Sequence, residues 1–220
     1  MLFFTVFFAF VVIGFLIRFL CAALEGRDAK LPDWSDLQGL FQQGLAPVLI
    51  TLAYAAPLVL IMIIEIQLVA FGFFAGVFLW PVELLALLFI SMLLPLALIR
   101  CVIKVSLKSA FEFGKIFEFL RLNFKTYFTA WGVAVLASLA AYLVSFLVLV
   151  AIGGAASFLG FGGIVVGLII VAAVFFIAQF IASLIGVHLF ALAYRASTPF
   201  SDDSEGIIRA SMAVPPPLRE

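Results

Sequence analysis

Charge is what this sequence has least of. Asp, Glu, Lys and Arg make up 11% of its 220 residues, where a water-soluble domain carries about a quarter. Histidine is nearly absent. With His188 as the one copy, a multi-histidine metal site and a His-to-His relay are excluded, and no Ser-His-Asp triad can be argued. Near the end of the last apolar run, His188 reads as a packed or interfacial residue. The two cysteines, Cys21 and Cys101, stand in apolar surroundings without a CxxC spacing. They signal neither a metal site nor a disulfide framework, and read as small, core-like side chains. The glycine-rich stretch Gly153–Gly163 is followed by no Lys-Ser or Lys-Thr, so it is not a phosphate cradle. No cofactor, metal or nucleic-acid partner is implied, and no nucleophile and base can be nominated.

What the sequence has in excess is apolar surface. Hydrophobic residues make up 67% of it, 27 of them phenylalanines, and the mean hydropathy is +1.36. A soluble globule of this size leaves too much of its surface exposed to hide that load, so the lipid bilayer is the natural solvent. A span needs roughly twenty apolar residues, and five runs meet that length: about Leu2–Ala23, Pro47–Gln67, Trp80–Ile99, Thr126–Ile152 and Ile164–Tyr194. The fold class expected is an all-α polytopic membrane protein with five transmembrane helices and two interfacial amphipathic helices. Residues 1–195 form one transmembrane domain, and 196–220, acidic and then Pro-rich at Pro215-Pro216-Pro217, a mobile cytoplasmic tail. The first run carries no positive residues before its apolar stretch and has Arg18 near its far end, so it reads as a retained helix and not a signal peptide.

Two polar intervals carry the amphipathic helices. In Glu25–Gly44, Leu31-Pro32 stops a helix, and Asp33 or Ser35 can cap a new one. Leu37, Leu40 and Phe41 recur at helical spacing beside Gln38, Gln42 and Gln43, with Trp34 suited to headgroup depth. In Arg100–Lys125 a continuous helix would place Lys104, Lys108, Glu112, Lys115, Glu118 and Lys125 on one face. Val105, Ala110, Phe113, Ile116, Phe117, Leu120 and Phe124 would share the other. That face suits solvent, another protein or anionic lipid. With five spans and the N-terminus outside, all twelve Lys and Arg fall on or at the edge of one side, which the positive-inside rule makes cytoplasmic.

Within the spans three features stand out. Glu65 and Glu83 are ionisable residues on opposite arms of one hairpin, which makes them a candidate acidic site for a proton, a cation or a partner's basic group. Pro57 and Pro95 each leave a carbonyl without its helical donor, at Ala53 and Ser91, and those faces are expected to pack against protein. Ala137, Ala141 and Ser145, then Ala178, Ala182 and Gly186, put small residues at every fourth position, the spacing that lets helices approach closely in lipid.

Gly14-Phe15, Arg18, Gly26, Leu31-Pro32-Asp33-Trp34, Asp36, Leu40-Phe41 and Gly44 resemble the motif of an uncharacterised prokaryotic integral membrane family, domain of unknown function 4013. Phe111–Tyr127, His188-Leu189 and Tyr194-Arg195 look like its later landmarks. Phe15 stands where the family's Tyr is usual. The resemblance implies the fold, the interfacial motif residues Leu31, Pro32, Asp33, Trp34 and Gly44, and residence in a prokaryotic cytoplasmic membrane. It implies no reaction.

Three classes of function remain on the sequence. The favoured one is a non-catalytic accessory, scaffolding or assembly subunit, with the lipid bilayer and other membrane subunits as partners. The alternative is a small carrier or channel-like protein using Glu65 and Glu83. An intramembrane enzyme comes last.

Overall fold

The computed structural model describes residues 2–26, 32–70, 79–156 and 160–197, with side chains over 7–26, 32–68, 79–153 and 162–197. Five long helices account for nearly all of it: α1 (Leu2–Leu24), α2 (Leu37–Ala70), α3 (Trp80–Lys104), α4 (Phe113–Ala156) and α5 (Gly160–Ala196). A 3-10 turn, Leu107–Phe111, separates α3 from α4. Each long helix holds a segment apolar and long enough to cross a membrane, and no strand occurs among the described residues. The all-α, five-span expectation holds.

Helix length carries information about the bilayer. At 1.5 Å per residue, α2 (34 residues) and α5 (37) measure about 51 and 56 Å, against a hydrocarbon core of about 30 Å. Their ends therefore belong to the headgroup layer or beyond.

The chain divides into two compact units, the described residues up to Leu122 and Asn123–Ser197. In the first, α1 packs along α2, and α2 and α3 form a hairpin. Its buried side chains include Val11, Phe15, Leu40, Ile50, Leu96, Ile99, Ile116 and Phe119. Lipid tails are as apolar as these residues, so close van der Waals fit holds the helices together here. In the second unit, α4 and α5 run antiparallel in a steady register. Tyr127 meets Phe190 at 5.4 Å between ring centroids, Tyr142 meets Phe175 at 5.8 Å, and a Cβ on Gly186 would touch that of Ala134 at 3.6 Å. The unit's small-residue stripes lie largely inward: Ala141, Ser145 and Ala182 are buried, Ala137 and Ala178 half-buried.

Four local expectations are corrected. The interfacial helix at Leu37–Gly44 is the first two turns of α2, which runs unbroken through Pro47. Proline's φ is already helical, and the cost is one hydrogen bond, to Gln43, next to a segment anchored on α1. Its cap is Asp36, not Asp33 or Ser35: Gly39 N–H donates to Asp36 Oδ1 at 2.9 Å. The amphipathic helix over Arg100–Lys125 is three pieces, because α3 ends in a left-handed cap at Val105 and α4 loses helical geometry at Asn123 (φ −119°, ψ 23°). Lys104 and Lys108 therefore do not share a helix face with Lys115, and the apolar set divides. Ala110, Ile116 and Leu120 point into protein, while Val105, Phe113, Phe117 and Phe124 point out. Finally, Ala53 and Pro57 are exposed, so among the described residues nothing covers the face opened by Pro57. Ser91 and Pro95 are half-buried. Leu31 and residues 198–220 of the expected tail lie outside the described residues.

Candidate functional site

The α1–α2 pair is built around two glycines. A Cβ on Gly14 would lie 1.8 Å from the backbone oxygen of Leu40, and one on Gly44 would lie 2.0 Å from that of Phe10. Each would also come within 3.1 Å of the other glycine's nitrogen, so the two face one another where the helices cross. Only hydrogen fits on either Cα, and the backbones touch there. Phe41 packs beside the crossing, 5.1 Å from Phe7 and 5.2 Å from Phe10.

One helical turn further toward the polar interval, Arg18 closes the pair. Its Nη2 donates to Asp36 Oδ2 at 2.5 Å and its Nε to Gln43 Oε1 at 2.8 Å. Asp36 thus binds α1 with one oxygen and caps α2 with the other, and both contacts hold its carboxyl below the usual range, the Arg18 contact first. Gly39 leaves the room for this, since a Cβ there would meet Asp36 Oδ2 and Arg18 Nη2. Before the cap, Asp33 takes the Ser35 hydroxyl at 2.7 Å and the Ser35 N–H at 3.1 Å, a local turn that also lowers its pKa. Trp34 stacks on Phe15 at 4.3 Å and Pro32 is half-buried. Gly14, Phe15, Arg18, Trp34, Asp36, Phe41 and Gly44 of the motif therefore form a single helix-pairing device.

At the other end of α2 the structure brings the two intramembrane acids together. Trp80 Nε1–H donates to Glu65 Oε1 at 2.6 Å, and the Glu83 carboxyl lies within interaction range of Glu65. One oxygen of Glu83 is shielded from solvent without a hydrogen-bond partner among the described residues. Trp80 was not foreseen, although its i, i+3 spacing to Glu83 placed it on that face.

A third cluster, at the α3–α4 turn, was missed outright. Arg100, 3% exposed, donates from Nη2 to Glu112 Oε2 at 2.5 Å and from Nε to the Ser109 carbonyl at 3.4 Å. The Ser109 hydroxyl lies 2.6 Å from the Ser106 carbonyl and 3.1 Å from that of Arg100, and Tyr54 donates to the Ala110 carbonyl at 2.7 Å. These bonds hold Val105 at φ 49°, where a β-branched residue is strained. Ser106 N–H reaches back to the Cys101 carbonyl at 3.3 Å, the closure that usually calls for glycine at the preceding position. The sequence offered no such glycine, which is why the break was invisible.

Apolar helices long enough to span, paired by glycine notches and pinned by ion pairs at their ends, define a polytopic helical membrane protein. The chain belongs to the family described as Protein of unknown function (DUF4013), whose model matches residues 1–150. No curated protein and no solved structure matches the chain.

Proposed function

We propose that the protein is a non-catalytic accessory, scaffolding or assembly subunit of a membrane complex. The observation that supports this most lies on α2. Pro57 has no N–H, so the carbonyl of Ala53 lacks its helical donor. Ala53, Ala56 and Pro57 are all exposed, and Ala53 stands at the middle of α2, about 25 Å from either end. Lipid tails offer no donor at that depth. A transmembrane helix of a partner subunit, bringing a hydroxyl or amide against these small side chains, would supply one. The better-defined polar contacts, around Arg18 and Arg100, serve to pin helices together. Extraction in native lipid with a tag on this chain tests the reading. A stoichiometric partner lost from Ala53→Leu/Ala56→Leu supports it; a lone monomer in native lipid removes it.

A carrier or channel-like role is the second reading, favoured by the meeting of Glu65, Glu83 and Trp80. Proton or monovalent-cation flux in vesicles, abolished by Glu65→Gln and Glu83→Gln, would displace the accessory reading. Absence of flux in the unmodified protein leaves the dyad as an interfacial structural pair. The membrane is taken to be a prokaryotic cytoplasmic one, with the N-terminus outside and the C-terminus inside. The support is that all twelve basic residues then gather on or at the edge of the inner side.

A further inference from the structure

The turn between α3 and α4 is joined on both sides to helices long enough to span, so covalent continuity holds it at headgroup depth. Charge is distributed unevenly there. Between Arg100 and Leu122 stand five basic residues (Arg100, Lys104, Lys108, Lys115 and Arg121) and two acids, Glu112 and Glu118. Both acids are engaged: Glu112 by buried Arg100, and Glu118 by Lys115 at 3.6 Å. Lys108 and Arg121 are exposed, with no carboxylate partner among the described residues. Around them Val105, Leu107, Phe111, Phe113 and Phe117 are exposed too, at 69, 43, 41, 46 and 46%. Cations without counter-charges, set among exposed aromatic and aliphatic side chains, match an interface with negative groups above and hydrocarbon below. A soluble acidic partner would satisfy the cations and leave the apolar side chains in water.

We propose that the Leu107–Leu122 segment is a binding surface for anionic lipid headgroups, with Lys108 and Arg121 meeting the phosphates and Leu107, Phe111, Phe113 and Phe117 lying in the acyl boundary. The strained cap at Val105 and the Arg100–Glu112 pair hold the segment in position for this. Lys115 is already neutralised by Glu118 and contributes less.

The test uses the full chain in vesicles of phosphatidylcholine, alone or with about one-third phosphatidylglycerol, followed by release into the gas phase and counting of retained lipids. The expected result is preferential retention of phosphatidylglycerol, weakened by salt. At about fivefold per surface cation, Lys108→Gln/Arg121→Gln should reduce that preference on the order of thirtyfold. Lys108→Arg/Arg121→Lys should keep it, which separates lost charge from a damaged fold. Equal retention of both lipids by the unmodified protein overturns the proposal. So does a preference that survives in the Gln variant, and so does an acidic protein taking these two cations in place of lipid.

Discussion

Gly14→Ala is the sharpest perturbation of this structure, because it adds one methyl group at a point where both neighbours are backbone. The new Cβ would lie 1.8 Å from the Leu40 oxygen and 2.6 Å from its carbonyl carbon. Carbon and oxygen need more than about 3 Å, so α1 and α2 must part by over an ångström, enough to forfeit a large share of each dispersion contact along the seam. No side chain can rotate away to relieve it. The expected loss is about 3 kcal/mol, the upper part of the range for overpacking, since the Arg18–Asp36–Gln43 contacts are dragged along with the helices. Gly132→Ala is the matched control. Nothing lies within 4 Å of a Cβ there, and alanine's better helix propensity should stabilise α4 by up to about 1 kcal/mol. Thermal or denaturant unfolding in one detergent compares the two variants directly. A Gly14→Ala protein as stable as its parent would show that the helices do not touch at that point, and the account of the motif would fall with it.

Three further outcomes can be checked. Asp36 titrates below its ordinary value of 3.8 in the folded protein. Its contribution is therefore complete above about pH 4 and is lost as pH falls through the lowered value. Melting profiles should show an acid-side loss that Asp36→Asn lacks, and parallel profiles for the two would refute this. Ala182→Leu, at a buried position of α5, should lower the melting temperature, whereas Phe176→Leu, at a 67% exposed one, should not; equal stability of both would remove the stripe as a packing surface. For orientation, single cysteines in a Cys21- and Cys101-free background should react from the cytoplasmic side at Lys108; labelling at Lys108 from outside would invert the topology.

How far the sequence could be read followed from how far each signal is averaged. Span number rests on runs of twenty or more apolar residues, and no single side chain can overturn such a run. The small-residue spacing on α4 and α5 was visible too, whereas the sequence put Glu65 and Glu83 on the arms of one hairpin and left their adjacency open. Breaks and joints rest on single residues, and there the reading failed. Pro47 was read as the start of a span, yet α2 passes through it from Leu37, anchored by Gly44 on α1. Val105 looked like an ordinary helical residue, yet it takes the left-handed cap, held by hydrogen bonds from residues four to seven positions away. Gly14 and Gly44 were visible as a motif, but their role needs two positions thirty residues apart to meet. A one-dimensional pattern does not state that meeting.

The glycine crossing also bears on how the chain is made. Its two halves are separated by the last turns of α1, a short polar link and the first two turns of α2, so closing them costs little loop entropy. Both leave the ribosome before any of α3, α4 or α5. The α1–α2 pair can therefore form while the rest is still being synthesised, and later helices meet a completed two-helix template. Cross-linking of cysteines placed at Phe7 and Phe41, whose rings meet across the seam, in nascent chains halted after α2 would find the two helices already together. On this account a defect at Gly14 reaches the cell first as lost yield during insertion, before any mature protein exists to be unstable.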